Sequence, residues 1–298
     1  MKTAHEPAAE AHASARDAPH AKPFLKWAGG KWSLAPAISQ HLPPDLAMRT
    51  YREPFLGGGA LFFWLRNKNA AKRFVLTDQL EDLVGAYEQV RDNTTALVKL
   101  LRKLKQTHST ERFYEIREAF NTRRGKPVER AAWLIYLNKT CFNGLFRTNR
   151  AGHFIVPVGR FADPAIADEP RLHAAAQALA GVSVASQSFD HLLDVAEPCD
   201  VIYLDPPYVP ISATANFAAY SGGHFGADEQ RRLADVYRQL DARGCWLVLS
   251  NSDAEDVHEL YKGFDIVRIE ARRAISSRTS ERKPASELLV LNRSRGAR

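Results

Sequence analysis

The chain has 298 residues, 45% hydrophobic and 25% charged, the balance of an ordinary globular protein. No apolar stretch approaches the ~18 residues that a membrane-spanning helix needs. An excess of 41 Lys and Arg over 34 Asp and Glu gives a net charge of +7, which favours a polyanionic partner. Cys141, Cys199 and Cys245 stand far apart with no C-x-x-C pair, which argues against a zinc site or disulfide framework and for a reducing cytoplasm.

Residues 1–21 are rich in Ala, His, Glu and Pro without periodicity and read as a disordered lead-in with no apolar signal core. Phe24-Leu25-Lys26-Trp27-Ala28-Gly29-Gly30-Lys31 then sets cation, aromatic ring and pliant backbone side by side. Trp27 can stack on a purine or serve the core, and Lys31 can meet a carboxylate or phosphate. A short β-like start leads into Glu53-Pro54-Phe55-Leu56-Gly57-Gly58-Gly59 and the helical Ala60–Leu65. Glycines at a strand-to-helix turn let backbone approach a ligand closely, and the helix start favours negative charge. No G-x-x-x-x-G-K-[ST] is present, so a P-loop is not supported; the F-x-G-x-G match points to the cofactor turn of methyltransferases.

The β-rich run Arg73–Thr77 ends at Asp78, where an acid can accept from ribose hydroxyls or cap a helix beginning at Gln79. Helical patterns follow at 79–91, 94–105 and 128–138. From Asn138 to Ala162 there is no acid, yet Lys139, Arg147, Arg150, His153 and Arg160 interleave with Phe142, Phe146, Phe154 and Phe161. With Asn143 and Asn149, this suits phosphate contact and base reading, or simply a basic solvated loop. The stretch 80–170 thus breaks the strand–helix alternation and reads as an inserted helical module ending in a polar, aromatic loop.

The apolar run Val201–Leu204 closes in Asp205-Pro206-Pro207-Tyr208. Two prolines cannot continue a ladder, so the acid and neighbouring carbonyls form a rigid ledge of acceptors beside an aromatic face. An exocyclic amine on a nucleobase fits that ledge; a plain proline turn is the alternative. A helix over 228–242 opens after Gly226 with Asp228 and Glu229 and stops near Gly244. The run Cys245–Leu249 leads to Ser250-Asn251, and Phe264–Ile269 with Glu287–Leu291 suggest late strands in a hairpin. Strands alternating with helices predict an α/β sheet with its functional groups at the carboxyl ends of the strands.

Taken in order, F-L-K-W-A-G-G-K, E-P-F-x-G-x-G, T-D, F-N-G-L-F-R and D-P-P-Y resemble the Dam-type adenine-N6 DNA methyltransferases, from Pro23 to Asn292. Ser212–Phe217 and Arg272–Ser277 extend the match. The resemblance implies a Rossmann-like S-adenosylmethionine-dependent core at 22–79 and 171–298, with a mainly helical DNA target-recognition module at 80–170. It implies cofactor binding by Trp27, Lys31, Glu53, Pro54, Phe55, Gly57, Gly59, Asp78 and Asp205. It implies catalysis by Asp205, Pro206, Pro207 and Tyr208, and DNA reading by Lys26, Asn143, Leu145, Arg147, Pro157 and Arg160, with GATC in double-stranded DNA as the target. Arg268, Arg272, Arg273, Arg278, Arg282 and Lys283 are expected on backbone phosphates.

Departures fall in the reading loop. Cys141-Phe142 and Thr148 stand where the GATC enzymes have tyrosines, and Phe161-Ala162-Asp163-Pro164 replaces a basic-aromatic run. The expected chemistry takes a flipped-out adenine stacked on Tyr208, with Asp205 and the Pro206 carbonyl accepting from N6 during direct displacement. Methylation of an amine on RNA or a protein glutamine, or an inactive DNA-binding relative, are the rivals. No metal and no obligate protein partner are expected.

Overall fold

Short apolar runs build one sheet, and the computed structural model describes residues 20–209, 225–270 and 286–293. Ser212–Phe217, Arg272–Ser277, Arg278, Arg282, Lys283 and nearly all of the N-terminal lead-in lie outside the described residues. Ala21 does not behave as lead-in: it is buried and exchanges two hydrogen bonds with the Asn67 side chain, at 3.0 and 2.8 Å.

Strands β1 (Thr50–Glu53), β2 (Arg73–Asp78), β3 (Ser183–Ser186), β4 (Val201–Leu204), β5 (Trp246–Asn251), β6 (Asp265–Glu270) and β7 (Ser286–Leu291) form a seven-stranded sheet ordered β3-β2-β1-β4-β5-β7-β6. The first five in that order are mutually parallel, and β7 runs antiparallel between β5 and β6. The chain order reverses between β1 and β4, the switch point at which open α/β sheets gather ligands beyond their carboxyl ends. Glu53 closes β1 and Asp205 follows β4, so both acids sit at that point. The sheet is Rossmann-like, and its β6–β7 pair is the late hairpin expected from sequence.

β4 and β5 are buried along their whole length, as central parallel strands covered on both faces must be. Ile202, Leu204, Leu247 and Leu249 face α9 (Ala227–Ala242) and α10 (Glu255–Leu260) through Leu233, Tyr237 and Val257. Alternate residues Tyr51, Phe74, Tyr203 and Val248 face the opposite layer, which includes α2 (Ala60–Arg66), α3 (Glu81–Asp92) and α7 (Glu169–Leu179). Between them in sequence come α4 (Thr94–Gln106), α5 (Thr110–Asn121) and α6 (Pro127–Thr140). In α4, Leu97, Val98, Leu101 and Leu104 make one buried stripe while Lys99, Lys103 and Lys105 are exposed. Both α4 and α5 pack on α6, and α3 touches β2 and β3 on one side and α6 on the other.

The sequence reading passes over β3 because its four residues offer a single buried apolar side chain, Val184. It also passes over α5, where Ser109 accepts from the Arg112 amide at 3.1 Å and opens the helix. Among the described residues, no helix is long and apolar enough to cross a membrane.

Candidate active site

The turn after β1 is shaped by glycine. Gly57 and Gly59 hold φ of +47° and +63°, a region that side chains with a Cβ rarely adopt. A Cβ on Gly57 would stand 2.9 Å from Trp27 Cδ1, and one on Gly59 would stand 2.8 Å from the Tyr87 hydroxyl. Trp27 lies against this turn and stacks on Phe146, with ring centroids 5.4 Å apart and planes 19° from parallel. Asp78 closes the other side: one carboxylate oxygen accepts from Gly57 N and the other from Leu80 N, each at 3.0 Å. Helix α3 begins at Glu81 with Leu80 as its N-cap, so Asp78 does not cap a helix at Gln79; it ties the glycine turn to the end of β2. Each carboxylate oxygen keeps further acceptor capacity.

Glu53 is almost wholly buried and accepts from the Tyr51 hydroxyl at 2.8 Å. Burial pushes its carboxyl up to about 8, with Asp205 adding to the shift and Tyr51 opposing it. At neutral pH Glu53 is therefore mostly a neutral acid, able to donate as well as accept.

Asp205 opens into the same space. Burial raises its carboxyl to about 6, against the pull of Lys31. The Lys31 ammonium lies 3.2 Å from Asp205 Oδ1, 2.5 Å from the Gly29 carbonyl oxygen and 4.6 Å from the centre of the Tyr208 ring. Tyr208 donates its hydroxyl to Glu287 at 2.9 Å. The backbone on either side of that tyrosine is clamped: Gln230 donates to the Pro207 carbonyl at 2.7 Å, and Val209 N donates to Asn251 at 3.1 Å.

These groups line one cleft of about 600 Å³, within the usual range for small-molecule sites. Of the residues that the resemblance assigned to cofactor and catalysis, Trp27, Lys31, Glu53, Phe55, Gly57, Gly59, Asp78, Asp205, Pro206, Pro207 and Tyr208 border it; Pro54 is buried and does not. Of the residues expected to read DNA, Arg147 alone borders the cleft, beside Phe146 and Thr148.

Arg147 belongs to a hairpin-like loop pinned by the bridges Cys141↔Val158 and Thr148↔Phe154. Asn143, Arg147, Pro157 and Arg160 are exposed on this loop, Leu145 is half-buried, and Lys26 rests its ammonium 4.5 Å from the Phe161 ring centre. Lys139 departs from expectation: it is buried in α6, and burial lowers its ammonium to about 8. Arg268 is exposed on β6 and pairs with Asp253 at 2.8 Å.

Sequence reading missed four participants. Asn138 bonds Lys26 N at 2.8 Å and the Lys26 and Gly144 carbonyls at 2.7 and 3.1 Å, joining the N-terminal segment to the loop. Gln230, Asn251 and Glu287 were equally silent; an acid opening the apolar strand Glu287–Leu291 was the available signal for the last.

A glycine turn after β1, an acid after β2 and an acceptor ledge after β4, all on one Rossmann-like switch point, define an S-adenosylmethionine-dependent amino-group methyltransferase. The lining suits that cofactor: three glycines leave the turn bare of side chains, and the wall carries aromatic, acidic and cationic groups together. Residues 27–275 match the family described as D12 class N6 adenine-specific DNA methyltransferase, and the chain belongs to it. Its relatives include the type II methyltransferase M.MjaIII of Methanocaldococcus jannaschii, 38% identical over 91% of this chain and 99% of that one. They also include M1.LlaDCHI of Lactococcus lactis, 37% identical over 91% and 95%, and the DNA adenine methylase of Escherichia coli K12, 36% identical over 90% and 94%. The protein is thus a site-specific DNA methyltransferase that uses S-adenosylmethionine to methylate adenine.

Proposed function

We propose that the cleft binds S-adenosylmethionine along Trp27, the Gly57–Gly59 turn and Asp78, and receives an adenine rotated out of duplex DNA on the Asp205–Tyr208 ledge, within the sequence GATC. The observation that carries this reading is the opening of both sets of residues, with Arg147 at the rim, into the same cleft. The cofactor supplies an electrophilic methyl group. Asp78 accepts from its hydroxyls, Lys31 pairs with its carboxylate, and the glycine turn lets backbone lie close. The 80–170 region acts as the target-recognition module, and the site of action is the cytoplasm.

On the ledge, Tyr208 presents a ring face to the base, and Asp205 with the Pro206 carbonyl accepts from the two N6 hydrogens. Neutral adenine is too weak an acid to be deprotonated beforehand. Asp205 instead stabilises the positive charge that grows on N6 as the N–C bond forms and the methyl–sulfur bond breaks. The proton leaves late, towards that carboxylate. The Gln230 and Asn251 clamps fix the backbone around Tyr208, so the ledge needs little rearrangement when the base arrives.

Arg147 suits bidentate pairing with guanine O6 and N7, and the exposed Phe142 offers a ring to the gap in the stack. Placing 2-aminopurine at the adenine of a GATC duplex tests the flipping step. Fluorescence should rise on mixing with enzyme and cofactor, and should stay low with a scrambled site; equal signals from both duplexes would overturn the GATC assignment.

A further inference from the structure

Because β7 is antiparallel to its neighbour β5, its first residues lie at the edge where the parallel strands end. Leu288 pairs with Asn251, the last residue of β5, and Glu287 stands one step beyond it. Leu289 and Leu291 face the layer shared with Tyr203, whereas Leu288 and Val290 face α9. Alternation therefore sends Glu287 to the cleft side of the sheet. There one carboxylate oxygen accepts from Tyr208, and the other lies 3.7 Å from the Lys31 ammonium.

We propose that Glu287 is a positioning residue for methyl transfer, fixing the Tyr208 ring through its hydroxyl and holding Lys31 between two carboxylates. The inference rests on the reading of Asp205 and Tyr208 as the groups that receive the adenine. The two bonds do different things. The Tyr208 hydroxyl lies between two carboxylates: it donates to Glu287 and also interacts with Asp205, and the charge-assisted bond to Glu287 fixes the ring while drawing that hydroxyl away from the Asp205 acceptor. Lys31 in turn has Asp205 on one side and Glu287 on the other, so the ammonium is shared rather than collapsed onto Asp205. An Asp205 monopolised by lysine would be a poorer acceptor for N6.

The arrangement leaves a signature in pH. The groups that face Asp205 are Lys31 from the N-terminal segment, Tyr51 and Glu53 on β1, Tyr203 on β4, the adjoining Tyr208, and Glu287 on β7. Lys31 lowers the Asp205 carboxyl, and the charge of Glu287 raises it. Removing that charge without changing shape must let Asp205 ionise at lower pH.

The test compares wild type, Glu287→Gln and Glu287→Ala in single-turnover methylation of a GATC duplex from pH 5 to 9, beside cofactor titration and thermal melts. Glu287→Gln should lower the saturating transfer rate about tenfold, the size expected of one charged hydrogen-bond partner, and should change cofactor affinity much less, because Lys31 keeps its nearer contacts with Asp205 and the Gly29 carbonyl. Its acid limb should move to lower pH. Glu287→Ala should slow transfer further. Wild-type rates in both variants would overturn the proposal, as would slower transfer accompanied only by a lower melting temperature and an unmoved acid limb. Asp205→Asn run alongside separates the two readings. If that variant keeps its turnover, the assignment of the ledge itself fails; if it loses turnover while both Glu287 variants match wild type, only the role of Glu287 fails.

Discussion

Replacing Glu53 by Gln keeps the shape of the side chain and its acceptor for Tyr51 while removing its titration, and this isolates the cost of a buried acid beneath the cleft. The carboxyl rises from an ordinary 4.5 to about 8 on folding, chiefly through burial. A group whose folded value is raised contributes stability at low pH and loses it as pH climbs through the folded value. Between pH 5 and pH 8 the unfolded chain ionises Glu53 almost completely while the folded chain resists. The unfolded group is only partly ionised at pH 5 and the folded one is half ionised at pH 8, so the three pH units act as somewhat fewer, and at ~1.4 kcal/mol per unit wild type loses about 3–4 kcal/mol from this one group across that window. Asp205 and Asp78 are raised in the same direction, but they titrate in both proteins and cancel to first order in the difference. Urea unfolding of both proteins at pH 5 and pH 8 measures it. The gap between variant and wild type should widen in favour of the variant by several kcal/mol on going from pH 5 to pH 8. An equal gap at both pH values would refute the reasoning, because it would mean that Glu53 is ionised in the folded protein as freely as in the unfolded chain.

Other outcomes follow from the same geometry. Asp205→Asn should lower turnover by about 10²-fold or more while calorimetry finds cofactor binding largely retained, since the amide keeps the shape but not the charge that meets developing N6. In the wild type, transfer should fall below pH 6, where a carboxyl raised to about 6 takes up its proton. Gly57→Ala adds a Cβ 2.9 Å from Trp27 at a φ of +47°, and calorimetry should find cofactor affinity reduced. The left-handed strain alone is worth ~1–2 kcal/mol. Arg147→Ala should cost about 1–3 kcal/mol in specific binding and relax the choice at one base pair; uniform weakening across sequences would make it a phosphate contact instead.

Much of this site was legible in the sequence because backbone chemistry marks it. Glycine is the residue favoured at the φ values of Gly57 and Gly59, and two prolines cannot continue a strand's ladder, so those motifs betray their geometry locally. The strand-ending acids Glu53 and Asp205 follow for the same reason. What stayed hidden depends on pairing between distant segments. Glu287 meets Tyr208 across 79 residues, and only the antiparallel insertion of β7 beside β5 brings them together. Gln230 and Asn251 reach the backbone around Tyr208 from α9 and the end of β5, and neither carries a motif. Lys139 misled for the opposite reason: its basic, aromatic neighbourhood reads as surface, but the last turn of α6 is buried under the loop and the N-terminal segment.

The central claim is most directly tested by following labelled methyl from S-adenosylmethionine into three matched duplexes: GATC, a scrambled site, and GATC already carrying N6-methyladenine on both strands. The account predicts label in the unmodified GATC duplex alone. Label entering the scrambled duplex equally would contradict the GATC assignment and turn attention to the Phe142 and Phe161 departures, and label in the premethylated duplex would contradict adenine N6 as the atom that accepts the methyl group.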